Sequence, residues 1–114
     1  MASQQVKPKK TFKVSIRQDK WTVNLYTFAD FTLKYGACQG ICEYSHITKD
    51  LVISFRGPKV SMDTVAHELM HAYMSHHNLS RCKPDTIEEK VCEIMGKHYR
   101  RIFWLTNYIH KRLK

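Results

Sequence analysis

No apolar run in the 114 residues approaches the roughly 20 residues that a membrane-spanning helix needs. A protein without a membrane segment is therefore expected. Met1 to Lys10 is polar and basic, and no hydrophobic stretch follows it, so no secretory signal is read there and the cytoplasm is the expected setting. Internal repeats, low-complexity tracts and linker-like segments are missing too. That leaves a disordered basic lead over residues 1–10 and a single folded domain over residues 11–114. Cysteine is sparse: Cys38, Cys42, Cys82 and Cys92 do not form the framework of a small secreted disulfide scaffold. Cys38 and Cys42 have the spacing of half a structural zinc site, but no second pair follows at a usual distance, which favours reduced, packed thiols.

Acidic residues are also scarce, 10 against 19 Lys and Arg, giving a net charge of +9. The basic residues gather near the two ends, at Lys7 to Lys20 and at Lys97 to Lys114, where only Asp19 opposes them. Such ends steer a protein toward nucleic acid or acidic protein surfaces, or simply keep it soluble.

Against this background one stretch stands out, Val65-Ala66-His67-Glu68-Leu69-Met70-His71-Ala72, which contains His-Glu-x-x-His in a helical pattern. Two histidines four apart project from neighbouring turns about 40° apart round the axis, so both imidazoles can reach one ion. Zinc takes nitrogen ligands at about 2.0–2.1 Å, and a catalytic site keeps one position open for water. Glu68, beside the first histidine, has the chemistry of a general base for that water. On a helical projection His67, Glu68 and His71 share a side with Thr64 and Ser75, opposite an apolar arc through Met62, Val65, Ala66, Leu69, Met70, Ala72 and Tyr73. An ordinary solvated helix face has the same look, so a third ligand decides between the two.

The surrounding pattern predicts an α+β fold. Thr11 to Arg17 alternates as a strand. Trp21 to Tyr26 reads either as a second strand or as the lead into a short helix through Phe28, Phe31 and Leu33. Gly40 to Ser45 and Leu51 to Phe55 read as paired strands, the second of which is a candidate sheet edge for an extended substrate. Ser61 is placed to cap a helix over residues 62–77 that carries the motif. Asn78 to Pro84 reads as a loop, and Asp85 with Glu88 has the form of a capping box. A long apolar stripe then runs from Ile87 to Leu113, either unbroken or interrupted around residues 104–107. The expected architecture is a small antiparallel or mixed sheet packed on the motif helix and a long C-terminal helix.

Four downstream residues compete for the third ligand position: His77, Glu88, Glu89 and Glu93. His77 has metzincin-like spacing, but Met74 stands where that signature has the glycine that lets the chain turn back, so the helix is expected to carry His77 away. Glu88 suits the capping box. Glu89 and Glu93 are one turn apart, next to the small residues Cys92 and Gly96, which would allow close helix approach. Glu89 is then the expected ligand. Glu93 would accept a hydrogen bond from a ligand imidazole, or both carboxylates would simply pair with Lys90 and Lys97.

Gly40-Ile41-Cys42-Glu43-Tyr44, the strand from Leu51 to Phe55, Val65 to His71, and Glu89-x-x-Cys92-Glu93-x-Met95-Gly96 together resemble the ImmA/IrrE-type minimal gluzincin metallopeptidases. The likeness covers about residues 36–98. The chain departs from the family pattern at Glu93, Met95 and Gly96. The resemblance implies a zinc-dependent endopeptidase acting on a protein substrate, common in phages and mobile elements, and so a host cytoplasm if phage encoded. Tyr44, Arg56, His98 and Tyr99 are candidates to stabilise the oxyanion. Two rival readings remain open. One is a basic, non-catalytic adaptor for nucleic acid or a host protein. The other is a DNA-associated protease of the SprT type, which uses a third histidine; only His98 and His110 lie far enough downstream for that.

Overall fold

The computed structural model describes residues 6–77 and 84–114. Its order is β1 (Lys10–Ile16), β2 (Asp19–Tyr26), α1 (Phe28–Tyr35), β3 (Gly40–Ser45), β4 (Asp50–Arg56), α2 (Met62–Met74) and α3 (Pro84–Leu113). The four strands form one mixed sheet in the order β1-β2-β4-β3. The hairpins β1–β2 and β3–β4 are antiparallel, and β2 runs parallel to β4. The α+β architecture expected from the sequence is therefore present, with the mixed version of the sheet.

Alternation dictates which face of the sheet is dry. Phe12, Val14 and Ile16 on β1, Trp21, Val23 and Leu25 on β2, and Leu51, Ile53 and Phe55 on β4 point to one side and are buried. On that side they meet Val65, Leu69, Ala72 and Tyr73 of α2 and Ile94, Ile102, Leu105, Ile109 and Leu113 of α3 in one core. Each fully buried aliphatic side chain contributes about 1.5–3 kcal/mol relative to exposure. The opposite face carries α1. The Phe31 ring lies 6.3 Å from Tyr26, and the Tyr35 hydroxyl donates to Glu43 Oε1 at 2.8 Å. Both sequence readings of residues 21–33 thus hold in turn, a strand and then a helix. Thr27 starts α1 by accepting from the Asp30 amide.

Several boundaries differ from expectation. The disordered lead does not reach Lys10, which opens β1, and the Lys9 amide already donates to Leu25 O at 2.6 Å; residues 1–5 lie outside the described residues. β4 is an interior strand, and β3 is the edge next to α2. α2 stops at Met74 with Ser75 as its C-cap, a turn short of His77. α3 runs unbroken for 30 residues, and it starts at Pro84, so Asp85 lies inside the first turn and bonds the neighbouring Thr86 amide instead of capping. The expected loop over 78–83 lies outside the described residues, as does Cys82; Cys38, Cys42 and Cys92 are free thiols. No described helix is long and apolar enough to cross a membrane.

Candidate metal centre

Helix α2 is fixed in rotation by two contacts. At its start the Ser61 hydroxyl accepts from the Thr64 amide at 3.1 Å, and the Thr64 hydroxyl donates to Gln39 Oε1 at 2.9 Å beside β3. Along its length Val65, Leu69, Ala72 and Tyr73 are sealed into the core. The apolar arc is narrower than the projection suggested, since Met62 and Ala66 instead line an open groove against Met95, Tyr99, Ile102 and Phe103 of α3. This rotation leaves His67 and His71 exposed and tucks Glu68 underneath.

The two imidazoles converge. His67 Nε2 and His71 Nε2 are 3.2 Å apart, with their rings edge to face at 4.8 Å between centroids. Two nitrogens at zinc bond length on a tetrahedral ion stand about 3.3 Å from each other, so this pair fits zinc as its donors already lie.

Glu68 is only 7% exposed. It lies against Gly40 of the edge strand, so closely that a Cβ there would sit 3.0 Å from Glu68 Cγ and 3.3 Å from Glu68 Oε2. The missing side chain at Gly40 is what lets the carboxyl rest beside the strand. Burial raises the Glu68 pKa above that of an ordinary glutamate, while His71 and His67 pull it back. His67 and Glu68 line an open cleft of about 400 Å³ together with Cys38, Gln39, Gly40, Asp63 and Thr64. The Cys42 thiol, one strand pleat further on, is pushed up to about 12 by burial and then by the charges of Glu68 and Glu43.

The expected third ligand does not join them. Among the described residues, a trio of His, Cys, Asp or Glu ligand atoms within 4.8 Å of one another forms only at Asp19, His46 and His76. The reason is how α2 and α3 slide along each other. Ala66 faces Met95, Tyr99 and Ile102, whereas the Tyr73 ring is 5.4 Å from that of His98. Helix α2 runs along β3, from Thr64 beside Gln39 to Ser75 beside His46, and α3 runs against β1, from Arg101 beside Ser15 to Arg112 beside Lys10. Through the strand directions of the sheet the two helices are antiparallel, and earlier α3 residues lie toward the end of α2. Glu89 is nine residues before His98, about 13 Å further along the axis and away from His67. It is exposed. Glu93 is held by Lys97 at 3.2 Å and Lys90 at 3.6 Å, and these contacts lower its pKa, led by the Lys97 hydrogen bond. Here the surface-pair alternative describes Glu93, and it makes no hydrogen bond to either motif histidine.

The oxyanion candidates are dispersed. Arg56 stacks over the Phe28 ring at 4.6 Å, Tyr44 packs beside Trp21 and His46, and His98 beside Tyr73. Tyr99 lines the apolar groove. None of the four lines the cleft at His67 and Glu68.

Compared with protein-family models, with curated proteins and with solved structures, the chain gives no match in any of the three. The functional reading accordingly rests on the residues and their arrangement.

Proposed function

We propose that the protein is a zinc-dependent metallopeptidase of the minimal gluzincin kind, with His67 and His71 as metal ligands and Glu68 as general base. The observation that carries this reading is the pair of Nε2 atoms 3.2 Å apart on the exposed face of α2, with a buried carboxyl directly beside them. Zinc bound there would supply a Lewis acid that acidifies a water and polarises a peptide carbonyl.

The chain's own residues supply the rest. Burial raises the affinity of Glu68 for a proton, which suits a group that takes one from water and passes it to a leaving amine. The free edge of β3 runs past Glu68 at Gly40. An extended peptide added to that edge as a further strand would lay a scissile bond over the cleft. This moves the substrate edge from β4, where the sequence pattern suggested it, to β3.

Glu89 remains the proposed third ligand. It requires the first turns of α3 to close an axial offset of about 16 Å to His71, the roughly 13 Å from His98 plus the two-residue rise from His71 to Tyr73. That offset favours one alternative, a zinc-binding module that holds metal through His67 and His71 without hydrolysing peptides, its basic ends serving a nucleic-acid or protein partner.

The test uses zinc-loaded wild type, Glu68→Gln, Glu88→Ala and Glu89→Ala on a quenched-fluorescent peptide library, with metal content measured in parallel. The expected outcome is cleavage by wild type, zinc without cleavage in Glu68→Gln, and much poorer zinc retention in Glu89→Ala than in Glu88→Ala. Unchanged turnover in Glu68→Gln removes its role as base. Zinc bound by wild type with no peptide cleaved selects the non-catalytic module.

A further inference from the structure

A second cluster lies away from the motif helix's exposed face. Asp19 at the start of β2, His46 in the β3–β4 turn and His76 just past α2 come together although 27 and 30 residues separate them in sequence. Asp19 Oδ2 is 3.0 Å from His76 Nε2 and 3.7 Å from His46 Nδ1. The two imidazoles stack with centroids 3.8 Å apart.

The ring proton of His46 is placed by its neighbours. The Ser75 hydroxyl donates to Ala72 O at 2.7 Å, so toward His46 Nε2, 2.8 Å away, it can only accept. The ring proton of His46 therefore sits on Nε2. That leaves the Nδ1 lone pair turned toward a carboxylate oxygen, and Nδ1 is buried without a hydrogen-bond partner. Two acceptors facing each other across 3.7 Å repel unless something positive lies between them. A ring nitrogen aimed at a site, with its other N–H held by an oxygen, is the arrangement that orients metal-bound histidines.

Lys49 does not fill the gap. Its ammonium is 3.3 Å from Asp19 Oδ1, on the other carboxylate oxygen. The Arg17 guanidinium is engaged with Tyr73 O at 3.2 Å. The distances from Asp19 Oδ2 to His76 Nε2 and His46 Nδ1, 3.0 and 3.7 Å, bracket the roughly 3.3 Å expected between ligands of a tetrahedral zinc ion, and a bound ion would replace the hydrogen bond that now joins Asp19 to His76. A cleft of about 550 Å³ opens beside Asp19 and His76, with His98 on its wall, and gives a fourth position access to solvent.

We infer that Asp19 Oδ2, His46 Nδ1 and His76 Nε2 form a second divalent-metal site, of zinc type, independent of His67 and His71. An imidazole and carboxylate set of this kind selects late first-row divalent ions over calcium or magnesium. Bound there, the ion ties the β1–β2 turn, the β3–β4 turn and the end of α2 to one another.

The test starts from His67→Ala/His71→Ala, which removes the motif site. This variant should bind one equivalent of added zinc by equilibrium dialysis, and its melting temperature should rise with zinc. Adding Asp19→Asn or His76→Ala to it should abolish both effects. Imidazole ¹⁵N spectra of the folded double variant should show zinc shifting Nδ1 of His46 and Nε2 of His76. Ser75→Ala should weaken binding by about 10–100-fold, as expected when the partner that orients a ligand is lost. No zinc taken up by the folded double variant overturns the inference, and so does uptake that survives both Asp19→Asn and His76→Ala. Neither result bears on hydrolysis at Glu68, which is read separately in protein carrying intact His67 and His71.

Discussion

Replacing Gly40 by alanine tests how the buried carboxyl of Glu68 is seated. The new Cβ would stand 3.0 Å from Glu68 Cγ, 3.2 Å from Thr64 Cγ2 and 3.3 Å from Glu68 Oε2. Overpacking of this kind costs about 1–3 kcal/mol. Alanine also gains about 0.5–1 kcal/mol over glycine in a strand, because less backbone entropy is lost on folding. The φ of Gly40 lies outside the left-handed region, so no backbone strain is added. A net loss of about 1 kcal/mol is expected in urea denaturation, with an unchanged m value. In a Glu68→Ala background two of the three close contacts disappear, and Gly40→Ala should become neutral or stabilising by about 0.5 kcal/mol. The coupling between the two sites should then be about 1–1.5 kcal/mol. An identical cost in both backgrounds would falsify the proposed seating of Glu68 against the strand. If Glu68 is the base, the single variant should also lose about 100-fold in turnover, since displacement near 1 Å is enough for that.

Two further outcomes follow from other parts of the molecule. With the Cys42 thiol raised to about 12, its thiolate fraction at pH 8 is on the order of 10³ lower than that of an unperturbed thiol, so iodoacetamide should modify exposed Cys92 long before Cys42; mass mapping that finds them equally labelled contradicts the burial argument. Ile53→Ala, at a position with no exposure at the centre of the sheet, should cost about 2–5 kcal/mol, while Glu93→Ala, which breaks only exposed pairs with Lys90 and Lys97, should cost less than about 1 kcal/mol by the same denaturation assay. Comparable losses would mean that Glu93 is not a mere surface partner.

Local periodicity carried much of this architecture. Phe12, Val14 and Ile16 alternate and are buried, and His67 with His71 meet because four residues on a helix make neighbours. What periodicity cannot carry is the slide of one helix along another. The stripe from Ile94 to Leu113 fixes which face of α3 turns inward, but nothing in it says whether Glu89 or His98 lies level with the end of α2. Strand order was equally hidden. Only the parallel pairing of β2 with β4 makes β3 the edge, and that contact spans about 30 residues. The Asp19, His46 and His76 cluster escaped for the same reason, since no spacing rule joins three separate turns. A local signal does mark the start of α1, Thr27 with Asp30 three residues later. The Asp85 capping box failed because Pro84 already occupies the first helical position.

The last helix and the first strand are fastened at their tips. Lys10 Nζ donates to Arg112 O and Lys114 O at 2.8 and 2.9 Å, and the Arg112 guanidinium covers the Phe12 ring at 4.6 Å. Segments a hundred residues apart are thereby expected to open and close as one unit. Amide protons of Phe12 and Ile109 should exchange with similar protection, and trimming the final turn should loosen the strand across the molecule before it disturbs the neighbouring α2.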